Sequence, residues 1–298
     1  MNPDETAILR TVLYADVFDF PLTVPEIHRY LIGGETTLAA VMTSLETSDW
    51  LAARLTRVNG YYAAAGRMEV ETKRDSRSAA ALRLWRAARF YGRVLAHLPF
   101  VRMVAVTGAL AMDNAHPADD IDYMLVTAQG RVWLARASAI VVVRLARLAG
   151  ARLCPNYLLA ETSLNLDRRD LFVAHELAQM VPLAGHELYA SMIQANAWTG
   201  GYLPNAAPPR REWDNAPRGV GKWAQRLAEW LLSGKLGDAL ENWERRRKLA
   251  RFAPQLRQSG SAAALDATQV KGHFNDYGGV TLREYERRCE EYFVNRSA

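Results

Sequence analysis

Residues 101–127 constrain the fold of this 298-residue chain more than any other stretch. They begin with an apolar, β-branched run, residues 101–106, which is typical of a buried strand. Thr107, Gly108 and Ala109 follow at the point where such a strand must turn. Glycine there allows the backbone to approach a ligand closely, and amides at the start of the next helix can bind phosphate. We therefore predict a strand and a turn in which Thr107, Gly108 and Ala109 bind phosphate.

Two carboxylates open the second predicted strand, residues 120–126. Side chains alternate between the faces of a strand, so Asp120 and Asp122 point the same way while Ile121 and Tyr123 point the other way. Two like charges side by side at the end of an apolar sheet repel each other, and a divalent cation removes that cost. Oxygen ligands suit magnesium, so the pattern predicts that Asp120 and Asp122 bind Mg²⁺ or Mn²⁺. The alternative is an ordinary strand–turn–strand unit with acidic capping residues.

This arrangement resembles the nucleotidyltransferase superfamily that includes DNA polymerase beta. That pattern has an apolar strand, Gly-Ser or Gly-Gly, a spacer of about ten residues, and Asp-x-Asp in a second strand. Here Gly108-Ala109, the spacer 110–119 and Asp120-Ile121-Asp122 fit it. Residues 99–123 are also similar to minimal nucleotidyltransferase proteins that carry an N-terminal winged helix. The chain departs from the pattern at Ala109, where the usual serine would add a hydroxyl contact to the backbone amide.

The resemblance implies a magnesium-dependent enzyme that moves a nucleoside monophosphate group from a nucleoside triphosphate to an acceptor hydroxyl. The acceptor would be a small molecule, a protein side chain or an RNA end. Superfamily members often carry a third acidic residue in the third strand, where it deprotonates the attacking hydroxyl. The predicted third strand, 153–159, has Asn156 at its centre and no carboxylate. Glu161, just past it, is the candidate third catalytic residue beside Asp120 and Asp122, with an ordinary surface glutamate as the alternative.

The N-terminal residues 1–68 predict a winged-helix module. Helical patterns cover residues 4–20 and 25–31 and start again at Thr36 or Thr37, and Asn59-Gly60 then marks a hairpin. Such modules often bind DNA through the third helix, but this third helix contains no Lys or Arg. DNA binding needs cationic contacts to phosphate, so we favour packing or contact with a protein partner. Sequence-specific binding to nucleic acid is the alternative.

The remaining chain divides into a nucleotidyltransferase core, 69–165, and a helical C-terminal region, 166–298. The predicted fold is therefore α+β, with a central mixed β-sheet flanked by helices between the winged helix and the C-terminal helices. His175 and Glu176 are neighbours on a predicted helix without a second His four residues on, which excludes a zinc-protease motif. Polar residues near Gly278-Gly279 are candidates to reach the active site.

Composition adds weaker constraints. The net charge of +5 is compatible with a nucleotide or nucleic-acid partner, and the two distant cysteines favour free thiols in a reducing compartment. The first ten residues include acidic side chains and no apolar signal core, so secretion is not expected. The most apolar stretch, 135–151, is interrupted by three arginines. We expect a cytoplasmic protein without a membrane partner.

Two other functions compete with the enzyme. One is a nucleotidyltransferase-like protein that binds nucleotide with little or no turnover, suggested by Ala109 and the missing carboxylate of the third strand. The other is a winged-helix regulator with a nucleotide-sensing domain.

Overall fold

A computed structural model of the chain describes residues 2–67, 69–206, 209–256, 264–271 and 276–294. The helices, in chain order, are α1 (Pro3–Asp16), α2 (Val24–Arg29), α3 (Leu38–Thr47), α4 (Asp49–Ala52), α5 (Val70–Ala96), α6 (Gly108–Ala111), α7 (Val132–Leu148), α8 (Leu171–Gln179), α9 (His186–Ala195), α10 (Gly219–Leu231), α11 (Lys235–Leu256) and α12 (Tyr277–Val294). The strands are β1 (Leu55–Val58), β2 (Tyr61–Ala64), β3 (Val101–Val106), β4 (Ile121–Thr127), β5 (Leu153–Ala160), β6 (Val181–Ala184), β7 (Ala264–Leu265) and β8 (Gln269–Lys271).

The architecture is α+β, as the sequence predicts, and it is built on one mixed sheet. Six strands lie in the order β6-β3-β4-β5-β8-β7, and β1 and β2 form a separate hairpin. Only β4 and β5 run parallel among the described pairs of the large sheet; the other neighbours are antiparallel. The helix α7 connects the parallel pair, which is the crossover that two parallel neighbours require.

Strand alternation divides the apolar side chains between two layers of helices. Val104 and Tyr123 pack in the core that β3 and β4 share with α5 and α7. Met103, Met124 and Val126 pack in the core formed with α8 and α9 on the opposite face. Because Asp122 is two residues before Met124, it lies on the α8 side of the sheet.

The N-terminal helices and hairpin form a further core. The predicted cap of α3 is confirmed, because the side chain of Thr37 accepts a hydrogen bond of 3.2 Å from the backbone N–H of Ala40. The predicted hairpin turn is also confirmed: Asn59 and Gly60 have φ angles of 47° and 84°, as a tight turn between strands requires. Tyr292 of α12 packs into this core, so the end of the described chain contacts its beginning.

The C-terminal region differs from the prediction in its secondary structure. The region 166–298, predicted to be helical, also contributes the strands β6, β7 and β8. Pro182 fits in β6 because this strand is at the edge of the sheet. Within the same region, α10 and α11 are two helices separated at residues 232–234. None of the helices in the described ranges has the length and hydrophobicity needed to cross a bilayer.

Candidate active site

A cleft of about 900 Å³ opens on the α8 side of the sheet, where β3 ends and β4 begins. Five of the six residues predicted for the site line it: Thr107, Gly108, Ala109, Asp120 and Asp122. The antiparallel pairing of Val106 with Tyr123 places the turn after β3 beside the start of β4. The structure therefore brings the glycine turn and both carboxylates together.

Gly108 is in direct contact with the second carboxylate. Its φ angle is +66°, in the left-handed region that favours glycine. A Cβ atom built on Gly108 would lie 2.7 Å from Oδ2 of Asp122, so a larger residue would displace that carboxylate. The backbone N–H of Thr107 donates a hydrogen bond of 3.1 Å to the carbonyl oxygen of Asp122 and fixes the turn against the strand. The absence of a side chain at Gly108 thus allows the carboxylate of Asp122 to lie close to the turn.

The two aspartates have different surroundings. Asp120 is exposed and forms a 2.9 Å ion pair with Arg152. Asp122 is partly buried and accepts a hydrogen bond of 3.2 Å from the side-chain amide of Asn156. The pKa of Asp122 is raised to about 7, chiefly by burial and also by the charges of Asp120 and Asp119, while hydrogen bonds from Cys154 and Asn156 act to lower it. In the absence of a cation, two closely spaced carboxylates here are a source of repulsion.

Glu161 is the predicted site residue that the structure does not bring to the cleft. Its backbone N–H donates a 2.8 Å hydrogen bond to the carbonyl of Thr127, at the far end of β4 from Asp122. Thr127 is five positions after Asp122 along the strand, a distance of roughly 17 Å. Nothing in the described structure associates Glu161 with the two aspartates.

Glu176 is the carboxylate that the sequence interpretation missed. It lies on α8, lines the cleft and is partly buried. Burial, together with the nearby charge of Asp122, raises the pKa of Glu176 to about 7. Its neighbour His175 points elsewhere, buried and stacked on the ring of Tyr14 at 4.0 Å between centroids. His175 therefore packs against Tyr14, and Glu176 is a further acidic residue that lines the cleft with Asp120 and Asp122.

Two cationic residues besides Arg152 line the same cleft. Lys271 enters it because β8 pairs with β5, with Lys271 opposite Tyr157. Burial lowers the pKa of Lys271, as does the charge of Arg168. Arg168 is held by ion pairs with Asp170 and, at 2.6 Å, with Asp276. Lys271 therefore supplies positive charge in the cleft, whereas the charge of Arg168 is balanced by two carboxylates.

The segment around Gly278-Gly279 also reaches the site, as predicted. Asp276, Tyr277 and Gly278 line the cleft at the beginning of α12. Residues 272–275 of the same predicted segment lie outside the described residues.

The oxygen donors of the site fit a hard cation that takes its remaining ligands from the substrate and from water. In the described part of the chain, no group of three or more His, Cys, Asp and Glu side chains is arranged to enclose a metal ion. Mg²⁺ is commonly bound through one or two carboxylates, with phosphate and water oxygens completing the shell. Asp120 and Asp122 match that mode, and the cleft that they line together with Gly108 leaves room for phosphate.

We expect Mg²⁺ to raise the midpoint of thermal unfolding by about 5 °C near pH 8 and by much less near pH 6. The pKa of Asp122 is higher in the folded protein than in the unfolded chain. This carboxyl group therefore contributes fully to the stability of the fold only at a pH below its pKa in the unfolded chain. That contribution is lost as the pH rises through about 7. A bound cation offsets the loss but needs the ionised carboxylate. The midpoint is measured with and without Mg²⁺ at both pH values.

Asp122→Asn tests the cause of this pH dependence. Near pH 8 without metal, the variant is expected to have a free energy of unfolding higher than that of the wild type by on the order of 2 kcal/mol, and it should lose the Mg²⁺ effect. Asp75→Asn, which changes an exposed carboxylate on α5, is the control and should behave like the wild type. Equal Mg²⁺ stabilisation of wild type and Asp122→Asn would contradict the assignment of Asp122 as a ligand.

No known protein family, curated protein or solved structure matches this chain significantly. The function is therefore proposed from the residues of the cleft.

Proposed function

We propose that this protein is a magnesium-dependent nucleotidyltransferase that moves a nucleoside monophosphate group from a nucleoside triphosphate to an acceptor hydroxyl. The observation that carries the proposal is the contact between Gly108 and Asp122 in a cleft that Asp120 also lines. A turn without a side chain next to paired carboxylates provides room for phosphate beside a cation. The acceptor class, whether small molecule, protein side chain or RNA end, is not specified by these residues.

Asp120 and Asp122 are the residues that would hold Mg²⁺ or Mn²⁺. When bound, the cation supplies a positive charge that orients the phosphates and neutralises charge on the reacting oxygens. Arg152, ion-paired to Asp120 at 2.9 Å, keeps that carboxylate at the mouth of the cleft. Asn156 orients Asp122 through its amide hydrogen bond.

The triphosphate is bound by the glycine turn and the cationic side of the cleft. The backbone around Gly108 and Ala109 is free of bulky side chains, and a backbone amide at Ala109 binds phosphate without the serine hydroxyl. Lys271 lies in the cleft at 5.8 Å from the ring centroid of Tyr157, and its ammonium group supplies charge for the outer phosphates. Arg168 contributes to the same positive field.

Glu176 is the group that takes the proton from the acceptor. The acceptor oxygen forms a bond to the α-phosphorus, the bond from that phosphorus to the β-phosphate oxygen breaks, and pyrophosphate leaves. The hydroxyl proton passes to the carboxylate of Glu176. A pKa of about 7 suits a general base that operates near neutral pH. This assignment replaces Glu161 as the proposed base.

The N-terminal helices and hairpin are proposed to form a winged helix that contacts a protein. The third helix exposes Leu38 and Met42, and it contains no Lys or Arg. A recognition helix for DNA needs cations and base-reading side chains, so the exposed apolar residues favour a protein partner. A mobility shift with DNA at low salt would contradict this part of the proposal. Location in the cytoplasm stays a prediction.

Ala109 favours one other function, nucleotide binding with little turnover, because the missing hydroxyl removes one phosphate contact. Calorimetric titration with ATP and Mg²⁺, followed by measurement of pyrophosphate release with a panel of hydroxyl acceptors, separates the two. The enzyme proposal predicts Mg²⁺-dependent binding and acceptor-dependent release. Absence of Mg²⁺-dependent nucleotide binding would overturn both functions, and binding without release for any acceptor would favour the binding protein.

A further inference from the structure

The helix α10 turns its apolar side away from the protein. Its exposed residues on that side are Val220, Trp223, Leu227, Trp230 and Leu231. Trp223 and Trp230 are 69% and 72% exposed, which is unusual for the largest apolar side chains. No residue of α10 is buried, and no described residue covers this outer side. A helix with this pattern ordinarily packs its apolar side inward.

Polar contacts on the inner side of α10 fix this orientation. The side-chain amide of Gln225 donates to the carbonyl oxygens of Leu98 at 2.8 Å and Ala96 at 3.2 Å. Glu229 accepts hydrogen bonds from the backbone N–H of Phe100 at 2.7 Å and from Arg102 at 2.6 Å. Rotating the apolar side inward would break these bonds, so exposure of the tryptophans is a consequence of the fold.

The next helix repeats the pattern. On α11, Leu236, Leu240 and Trp243 are exposed. Its acidic residue Glu241 faces inward and accepts hydrogen bonds of 2.9 and 2.8 Å from the first backbone N–H groups of α7. Two consecutive helices thus use polar side chains to pack on the protein and leave apolar side chains outside.

Positive charge surrounds these apolar residues. Residues 218–251 contain nine Lys and Arg against four Asp and Glu, a net charge equal to the +5 of the whole chain. The four acidic side chains are engaged by described partners: Glu229 by Arg102, Asp238 by Arg131, Glu241 by the start of α7, and Glu244 by Arg247. The exposed Lys222 and Arg226 follow one edge of the tryptophan side, at the spacing of neighbours on a helix.

We propose that the outer side of α10, with the exposed apolar residues of α11, binds the surface of an anionic lipid bilayer. Exposed tryptophan and leucine with flanking lysine and arginine are the chemistry of helices that lie in the headgroup region. A second copy of the chain is disfavoured as the occupant, because a symmetric contact would bring like-charged edges together. The sequence leads to no expectation of a membrane partner; this contact lies at the surface and involves no spanning helix.

Co-sedimentation of the full chain with vesicles tests the proposal. Wild-type protein is expected to bind vesicles of phosphatidylcholine and phosphatidylglycerol in equal parts, and to bind pure phosphatidylcholine more weakly. The double variant Trp223→Ser/Trp230→Ser should lose at least about tenfold in partition coefficient. Leu82→Ser/Phe90→Ser, which changes two side chains of α5 that are 66% and 62% exposed, is the matched control and should bind like the wild type.

Three results would overturn the proposal. One is failure of the wild type to bind the anionic vesicles, and another is equal binding by the tryptophan double variant. The third is a wild-type dimer by light scattering that the tryptophan variant converts to a monomer, which would identify a second copy as the occupant. Both double variants change exposed residues, so circular dichroism should show wild-type folding for each.

Discussion

Replacing Asp120 and Asp122 together by asparagine is expected to reduce Mg²⁺-dependent nucleotide transfer by about 10³-fold or more. The two carboxylates are the proposed protein ligands of the cation, and asparagine keeps their shape while it removes both charges. Binding of the nucleoside triphosphate should weaken in the same variant, because phosphate binding depends on the cation. The measurement is pyrophosphate release from a labelled triphosphate with the acceptor panel, together with calorimetry for binding.

Asp119→Asn is the matched control for this variant. Asp119 lines the same cleft, but its carboxylate accepts a 2.7 Å hydrogen bond from the backbone N–H of His116. Its replacement removes one negative charge at the same place without removing a proposed ligand. Transfer by Asp119→Asn should stay within a few-fold of the wild type. Equal transfer by the double asparagine variant and the wild type would reject the metal site.

Glu176→Gln is expected to reduce the turnover number by about 10²-fold or more while Mg²⁺-dependent nucleotide binding changes little. Glutamine fills the same space and cannot accept the proton of the acceptor hydroxyl. In the wild type, the rate should rise with pH through about 7, because the pKa of Glu176 is raised by burial and by Asp122. The Glu176→Gln variant should lose this rise of the rate with pH.

Glu161→Gln is the control, and it also decides between the two candidate bases. Glu161 lies beside Thr127 at the other end of β4, so its replacement should leave the turnover number unchanged. Full activity of Glu176→Gln together with inactivity of Glu161→Gln would restore the base predicted from sequence. Inactivity of both variants, with circular dichroism like the wild type, would show that the cleft described above is not the complete site.

The part of the site formed by Gly108, Asp120 and Asp122 was predictable because these residues lie in one short stretch of sequence. Apolar alternation identifies the strands on either side of Gly108, and the period of two places Asp120 and Asp122 on one face. The structure gives β4 as Ile121–Thr127, one residue later than predicted, and this shift leaves the side-chain directions unchanged. Short-range geometry therefore sufficed for these residues.

The distant half was not predictable in the same way. Glu176 reaches the cleft only because α8 packs over the sheet on the side of Asp122, which depends on tertiary contacts rather than spacing. The sequence indicates Glu161 as the third catalytic residue because it follows the third strand. Since β5 runs parallel to β4, however, the end of β5 lies beside Thr127 and away from Asp122. The parallel pairing of β4 with β5 therefore argues against Glu161 as a residue of the site.

The C-terminal strands were not predicted, for physical reasons of the same kind. The strand β6 is short and contains Pro182, and only its position at the sheet edge makes it acceptable. Lys271 enters the cleft through the pairing of β8 with β5, a contact between residues more than a hundred positions apart. Non-local pairing of this kind has no signature in hydrophobic periodicity.

The most direct test of the proposed cation site is a titration of the protein with Mn²⁺, followed by electron paramagnetic resonance, with and without a non-hydrolysable nucleoside triphosphate. The structure predicts that wild-type protein binds Mn²⁺, that the nucleotide strengthens this binding at least about tenfold, and that Asp120→Asn/Asp122→Asn loses both effects. Mn²⁺ binding of equal strength in wild type and variant, or no effect of the nucleotide on it, would contradict the site.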